Sequence, residues 1–280
     1  MYESIFRPGL FNGRTIVVTG GGTGIGRAIA HELAALGAHV VLAARKEENL
    51  LRVREEIGAA GGSASHAICN IREEGQVAAL FAGVLSERGR VDGVVNNGGG
   101  QFLSPAEQIS RNGWQAVIDT NLNGTFLMCR EAFNQWMGRH GGAIVNIVSE
   151  MWRGFPGMAH SGAARAGVVN LTQTLAVEWA RAGVRVNAVA PGLIRSSGLM
   201  QYGEAMQPVI EQMVRHQPTR RMGSEGEIAA AVTFLLSPAA SYISGETLKV
   251  DGASSLWRSA WEIDDHANAP QPWMGFEDEG

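Results

Sequence analysis

The sequence predicts an α/β domain in which helices cover both faces of a doubly wound parallel sheet. Short apolar segments rich in Val, Ile and Ala recur along the chain with little polar alternation, as in parallel strands buried on both faces. Helical patterns separate most of these segments, so the chain repeats a strand–helix–strand unit. The first segment also turns through several glycines into an amphipathic helix.

Seven segments qualify as strands. They are Thr15–Thr19, His39–Ala44, Ala64–Cys69, Val91–Asn96, Ala143–Ser149, Val184–Ala190 and Thr247–Val250. Ligands of such sheets bind beyond the carboxyl ends of the strands. We therefore expect the residues that follow the strands to form one site.

Composition limits the classes of partner. The 280 residues suit one large α/β domain, and the formal net charge is −4, with no cluster of Lys and Arg among aromatic residues. These features argue against a nucleic-acid partner and favour a small molecule. Cys69 and Cys129 are far apart, so neither a disulfide framework nor a metal site is expected. The absence of a leader-like segment and of a membrane-length apolar run predicts a cytoplasmic protein with no membrane partner.

The chain divides into three parts. Residues 1–13 form an N-terminal arm whose Phe6, Leu10 and Phe11 are expected to cover the edge of the sheet. Residues 14–256 form the domain, within which 196–219 are expected to be a mobile substrate lid, although an inert helical connection is an alternative. The tail, residues 257–280, is expected to pack on a neighbouring subunit or to fray.

The glycine turn is the clearest local signal. Gly20, Thr23, Gly24, Ile25 and Gly26 join a buried strand to a helix, and glycine allows a pyrophosphate to approach backbone N–H groups at the positive end of that helix. The spacing differs from Gly-x-Gly-x-x-Gly, and a flexible loop that binds nothing is the alternative. The chain that follows favours a nucleotide site.

The second strand indicates which nucleotide binds. It ends in Ala43 and Ala44 followed by Arg45 and Lys46, where an Asp or Glu would select an unphosphorylated ribose. Cations there would pair with a 2′-phosphate, so we predict NADP(H). The alternative is that Arg45 and Lys46 merely begin an exposed helix.

Five ordered motifs resemble the short-chain dehydrogenase/reductase family. They are the glycine turn from Thr19 to Gly26, Asn96-Asn97-Gly98-Gly99, Asn121, Ser149 and Pro191-Gly192. The resemblance covers residues 13–252. It implies a single Rossmann-type domain that transfers hydride to or from a nicotinamide ring, as a homotetramer or homodimer.

The resemblance also assigns residue roles. Asn96 would lie over the adenosine ribose, Asn121 would hold a water and nearby backbone, and Ser149 would bond the substrate carbonyl. The other residues that it places at the cofactor are Asn70, Ile71, Asn97, Gly98, Gly99, Pro191, Gly192 and Ile194.

One motif departs from the family. Its Tyr-x-x-x-Lys pair is replaced by Ser161 and Arg165, and none of the three tyrosines precedes a lysine by four residues. The segments around Ser161 and after Asn96 look like the peroxisomal trans-2-enoyl-CoA reductase branch. That branch implies reduction of an enoyl-CoA thioester, with Ser149 and Ser161 on the thioester oxygen and Arg165 on the cofactor ribose. Ser161 and Arg165 could otherwise simply start and solvate a helix.

The chemistry is consistent with this departure. Reduction of a ketone needs a proton donor at the new hydroxyl, whereas reduction of an unsaturated thioester leaves an enolate that needs hydrogen-bond donors. His160, Trp152 and Tyr202 are further candidates for substrate contact. Two alternatives stay open: a carbonyl or alcohol oxidoreductase for acyl or terpenoid substrates with His160 or Tyr202 as proton donor, and a catalytically weak nucleotide-binding partner subunit.

Overall fold

A single seven-stranded sheet forms the centre of the protein. The computed structural model describes residues 2–196, 199, 207–258 and 260–276. The strands are β1 (Thr15–Thr19), β2 (His39–Ala44), β3 (Ser63–Ile68), β4 (Gly93–Asn96), β5 (Gly142–Ile147), β6 (Val184–Pro191) and β7 (Thr247–Val250). Their order is β3-β2-β1-β4-β5-β6-β7, and every pairing is parallel. The predicted fold class is confirmed.

Helices cover both faces of the sheet. They are α1 (Gly24–Ala35), α2 (Glu47–Ala59), α3 (Glu74–Arg88), α4 (Arg111–Ile118), α5 (Gly124–Ala132), α6 (Gly138–His140), α7 (Ala159–Glu178), α8 (Gln207–Arg215) and α9 (Glu225–Leu236). The apolar sides of α1, α2 and α9 pack with one face, and those of α3, α5 and α7 with the other. Adjacent strand residues alternate between these two cores, since side chains of a strand point to opposite faces.

The topology fixes where a ligand can bind. The chain leaves β1 toward β2 and β3 and then returns to place β4 on the other side of β1. At this reversal the connections after β1 and β4 diverge, and they leave a crevice at the carboxyl ends of the two strands. The glycine turn follows β1, and Asn97 to Gly100 follow β4, so both border the crevice.

The arm does not lie at an edge of the sheet. Phe11 is 4% exposed in the core beneath α1, with Phe6 and Leu10 against the same cluster. Its backbone N–H donates to the carbonyl of Leu36 at the end of α1, at 2.9 Å. The edge strands are β3 and β7, so the expectation that these three residues cover an edge of the sheet was wrong.

The described part of the tail folds back on its own chain. Tyr2 forms an antiparallel bridge with Phe276, and His266 donates from Nε2 to the carbonyl of Pro218 at 2.8 Å. The described tail is thus held on its own chain, and packing on a neighbouring subunit stays a prediction. Helix α8 lies within the predicted lid, whereas Tyr202 of the same segment lies outside the described residues. Among the described helices, none is long and apolar enough to cross a membrane.

Candidate functional site

The ends of β1 and β4 are joined by hydrogen bonds around Thr19. Its Oγ1 accepts from the backbone N–H groups of Asn97, at 3.0 Å, and Gly98, at 2.8 Å. The Asn97 side chain donates in turn to the Thr19 carbonyl at 3.0 Å. Two of the predicted motifs are thus held as one unit at the crevice.

Glycine is required by the geometry of this turn. Gly20 has φ = 65°, which side chains other than glycine rarely adopt. A Cβ at Gly26 would collide with the Gly20 carbonyl and lie 2.5 Å from Nδ2 of Asn97. The turn therefore keeps its backbone open to the N-terminus of α1, where Thr23 is exposed, Ile25 is half-buried and the first turn carries no acidic residue. This cradle fits the pyrophosphate of a dinucleotide.

Arg45 and Lys46 follow β2, next to the glycine turn. Both are exposed after β2, and neither forms an ion pair with another described residue. The turn is close by, because a Cβ at Gly22 would lie 2.9 Å from Cβ of Asn49 in α2. Arg52 of the same helix donates to the Gly22 carbonyl at 3.1 Å. The sequence analysis missed this third cation, which becomes evident only when α2 is docked on the turn.

Asn70 and Ile71 have different surroundings. Asn70 accepts from the backbone N–H of Arg72, at 3.3 Å, and stabilises the turn after β3. Ile71 is 9% exposed and packs against the backbone at Gly98 and Gly124. Ile71 therefore shapes the wall of the crevice, and Asn70 fixes the loop that carries it.

Asn96 does not face the crevice. It is 3% exposed, and its Nδ2 donates to Oδ1 of Asn146, at 2.8 Å, and to Sγ of Cys129, at 3.2 Å. The inference that Asn96 lies over the adenosine ribose was wrong. Because side chains alternate along a strand, Asn97 points the opposite way and is the one that reaches the glycine turn.

Asn121 fixes backbone at the site, and the water that the resemblance places there stays a prediction. It is fully buried in a π-helical turn, Asp119–Asn123, a type of irregularity that is frequent at functional sites. Its Nδ2 donates to the carbonyls of Gly100, at 2.7 Å, and Val117, at 2.8 Å, which uses both N–H bonds. Its Oδ1 accepts from the backbone N–H of Gly100 at 3.3 Å. The side chain ties the loop after β4 to the helix end.

Arg165 is a buried cation at the site. Its Nη1 donates to the Ile147 carbonyl at 2.5 Å, and its Nε is buried without a described partner. Burial lowers the pKa of Arg165 to about 10. A guanidinium held away from water without a carboxylate favours a polar or anionic ligand beside it. Ser149, in the loop after β5, also has a buried hydroxyl with no described partner.

Ser161 is paired with Gln101, a residue that sequence reasoning missed. The Ser161 hydroxyl donates to Oε1 of Gln101 at 2.6 Å, and Ser161 itself is fully buried. The side-chain NH₂ group of Gln101 remains a hydrogen-bond donor. Gln101 is exposed in the loop after β4. Only the sequence resemblance around Gly100 to Ser104 hinted at this residue.

His160 lies behind Ser161. It is fully buried, its Nδ1 accepts from the Ser161 backbone N–H at 2.8 Å, and Phe102 packs edge-to-face on its ring at 4.4 Å. In the neutral ring the proton is therefore on Nε2, which has no described partner. Phe102 would have to move before a substrate could touch His160.

The remaining predicted residues surround the carboxyl ends of β5 to β7. Pro191 ends β6, and Gly192 is packed so tightly that its Cβ would lie 2.7 Å from Cα of Asp251. Ile194 is 7% exposed and pairs with Gly223. Trp152 is half exposed in the loop before α7, with Nζ of Lys249 4.4 Å from its ring centroid. Among the described residues there is no cluster that could hold a metal.

This fold and site define an oxidoreductase with a nicotinamide cofactor. A family model described as "Enoyl-(Acyl carrier protein) reductase" matches residues 20–254. The chain belongs to the short-chain dehydrogenase/reductase family. The resemblance found from the motifs is therefore confirmed.

Particular relatives have different substrates. The peroxisomal 2,4-dienoyl-CoA reductase of Pongo abelii is 36% identical over 258 residues, covering 91% of this chain and 88% of that protein. The citronellol catabolism dehydrogenase (AtuB) of Pseudomonas aeruginosa is 55% identical, with TM-score 0.82, over 91% of this chain and 100% of that one. A candidate NAD(P)-dependent gluconate 5-dehydrogenase of Beutenbergia cavernae, with bound NADP, is 35% identical, with TM-score 0.83, over 89% and 99%.

Proposed function

We propose that the protein is an NADPH-dependent reductase of the carbon–carbon double bond of an α,β-unsaturated acyl thioester, with an acyl-CoA as substrate. One observation carries the proposal. At the position of the family's tyrosine, Ser161 donates to Gln101, so the described part of the site contains hydrogen-bond donors without a phenol. This arrangement suits an enolate, whose oxygen needs donors, better than an alkoxide, which needs a proton.

The proposed reaction requires hydrogen-bond donors from the protein but no acidic side chain. When bound, the nicotinamide cofactor supplies hydride to the β-carbon of the substrate. The π electrons move toward the thioester oxygen, and the α-carbon then takes a proton from water. The Gln101 amide N–H and the Ser149 hydroxyl would donate to the oxygen that becomes negative. Ser161 then acts by holding Gln101 in place, a change from its predicted direct role.

Arg165 would hold the ribose of the cofactor. Its unpartnered Nε and its position beside Gly99 place donors at the crevice. The guanidinium stays charged at neutral pH even with its pKa lowered to about 10. We therefore assign it binding and electrostatic roles, with no proton transfer.

NADPH is the proposed cofactor because cations surround the β2 end of the crevice. Arg45 and Lys46 have no described carboxylate partner, so a 2′-phosphate could take that place. The relative with bound NADP supports this preference, and Arg52 adds charge at the same corner.

A second candidate function is oxidation or reduction of a terpenoid alcohol or carbonyl. The 55% identity to a citronellol catabolism dehydrogenase favours it. That chemistry needs a proton donor, for which His160 and Tyr202 were the sequence candidates. His160 is fully buried beneath Phe102, and Tyr202 lies outside the described residues. A catalytically weak nucleotide-binding subunit is the third candidate.

A substrate panel separates these functions. The purified protein would be incubated with NADPH and a series of enoyl-CoA and 2,4-dienoyl-CoA thioesters, and in parallel with acetoacetyl-CoA, simple ketones and citronellal. Citronellol with NADP⁺ would test the reverse direction. We expect NADPH consumption with the unsaturated thioesters. Turnover of carbonyls or alcohols alone would replace the proposal with the second candidate, and cofactor binding without any turnover would support the third.

Assembly and location complete the proposal. We expect a homotetramer or homodimer in the cytoplasm. Large apolar side chains are exposed on neighbouring helices, with Trp114 of α4 39% and Phe126 of α5 41% exposed, and an interface between copies would cover them. Light scattering after size-exclusion chromatography measures the assembly directly, and a monomer would contradict it.

A further inference from the structure

A cavity outside the crevice lies between the tail and the start of α9. Its volume is about 390 Å³. One wall is the segment from Thr219 to Ser224, and the opposite wall is the tail from His266 to Met274. We call it the tail pocket. The whole tail wall lies beyond residue 254, where the match to the family model ends.

Three arginines give the tail pocket its charge. Arg195, Arg220 and Arg221 line it, and no Asp or Glu is among the described lining residues. Arg221 is neutralised by Glu227, at 2.7 Å. Arg220 is 3.7 Å from Asp265, whose carboxylate is fully exposed to solvent, and Arg195 has no described ion pair. The pocket thus keeps a positive charge that the described residues leave uncompensated.

Several nitrogen atoms of the pocket walls lack partners. Nε of Arg220 is a buried donor without a described hydrogen bond. Nδ1 of His266 also has no described partner, but in the neutral ring it is an acceptor, because Nε2 donates to Pro218. The other nitrogens of Arg220 donate to the carbonyls of Arg215 and Ile263, which fixes the guanidinium between the two walls. Arg220 also has φ = 53°, an uncommon conformation for a non-glycine residue. The buried unpaired N–H of Arg220 is costly, and a bound anion would satisfy it.

We propose that the tail pocket binds a phosphate group of a small-molecule ligand. Guanidinium groups bind phosphate through paired, charge-assisted hydrogen bonds. Apolar side chains on the tail wall, Pro270, Pro272 and Met274, would contact the organic part of the ligand. The pocket adjoins the segment after β6, because Gly223 lines it and pairs with Ile194. Two sources of the phosphate fit: the CoA part of the proposed substrate, in which case the inference rests on the proposed function, and a free phosphate compound.

Binding can be measured without turnover. Calorimetric titrations of the full-length protein with CoA, with dephospho-CoA and with inorganic pyrophosphate would be compared for wild type and Arg195→Gln. The matched control is Arg181→Gln, an exposed arginine on a short helical turn before β6 with no described hydrogen bond. Arg195 is suited to replacement because it is exposed and has no described side-chain partner, so the fold should tolerate the change.

We expect Arg195→Gln to weaken binding of at least one phosphate ligand about tenfold or more, and Arg181→Gln to leave it unchanged. If CoA is affected and competes with thioester substrates, the substrate is the source. If the variant weakens binding of pyrophosphate, and pyrophosphate does not compete with thioester substrates, the phosphate belongs to a separate effector. Binding that is absent in wild type, or equal in both variants, would overturn the inference. Failure of the proposed function would instead show as absent thioester reduction with phosphate binding intact.

Discussion

Nη2 of Arg165 occupies the space where a side chain at Gly99 would begin. A Cβ built on Gly99 would lie 2.7 Å from that nitrogen and 2.7 Å from Oδ1 of Asn121. The glycine after β4 therefore admits the guanidinium of α7 to the crevice. Two motifs 66 positions apart in the sequence depend on each other through this contact.

Replacing this glycine should weaken cofactor binding. In Gly99→Ala the methyl group displaces the guanidinium of Arg165, and we expect the dissociation constant for the cofactor to rise about tenfold, or about 1.4 kcal/mol. Fluorescence titration with NADPH measures it. Gly100→Ala is the matched control, because nothing lies within 4 Å of a Cβ at Gly100. Equal affinities in the two variants would contradict the role given to Arg165.

Gln101 should matter more for turnover than for binding. If its amide donates to the developing enolate, Gln101→Leu removes a donor used in the transition state, and kcat should fall about 100-fold with little change in KM. Steady-state kinetics with an enoyl-CoA measures both. Gln108→Leu, an exposed position on the loop after β4, is the control.

Ser161 should act through Gln101. Ser161→Ala removes the hydroxyl that donates to Oε1 of Gln101, so kcat should fall, by less than in Gln101→Leu. The double variant should be no slower than Gln101→Leu alone, because coupled residues are not additive. Independent, multiplicative losses would indicate that Ser161 contacts the substrate itself, as the sequence first suggested.

Cofactor selectivity should depend on the end of β2. Replacing Arg45 and Lys46 together with Ala removes the cations expected at the 2′-phosphate, so KM for NADPH should rise about tenfold or more while KM for NADH stays unchanged. Arg111→Ala removes an exposed cation at the start of α4 and should alter neither value. A wild-type protein that prefers NADH would overturn the assignment.

Glu32 should make stability depend on pH. It is fully buried in α1 beside Ser4, whose hydroxyl donates to Oε1, and burial raises the pKa of Glu32 above its usual value of 4.5. The folded state therefore holds this proton more tightly than the unfolded state. The free energy of unfolding should fall as pH rises from the unfolded pKa through the folded one.

Urea unfolding between about pH 5 and about pH 8 checks this sign. Glu32→Gln cannot ionise and retains an acceptor for Ser4, so its advantage over wild type should increase with pH. The control is Glu48→Gln, at an exposed position in the first turn of α2. Its free energy of unfolding should change with pH as that of wild type does. An advantage that is constant across the range would show that Glu32 does not titrate differently on folding.

Much of the fold could be predicted because its signals are local. Apolar segments located all seven strands to within a few residues. The exceptions are instructive. The positions of the arm and of the described tail could not be predicted in this way. The arm packs against α1 and the tail against the start of α9, and both contacts join distant parts of the chain. The domain boundaries and the lid remain predictions.

The sequence alone determined the parallel sheet, the glycine turn and the family, because strand periodicity and the conformational freedom of glycine depend on neighbours along the chain. It also identified Ser161 and Arg165 as the departure from the family. Only the tertiary structure decided that Asn96 faces the core, that Gln101 accepts from Ser161, and that Gly99 makes room for Arg165. Each of these relationships joins residues from different loops and helices, and their contacts exist only after the sheet has brought the ends of its strands together.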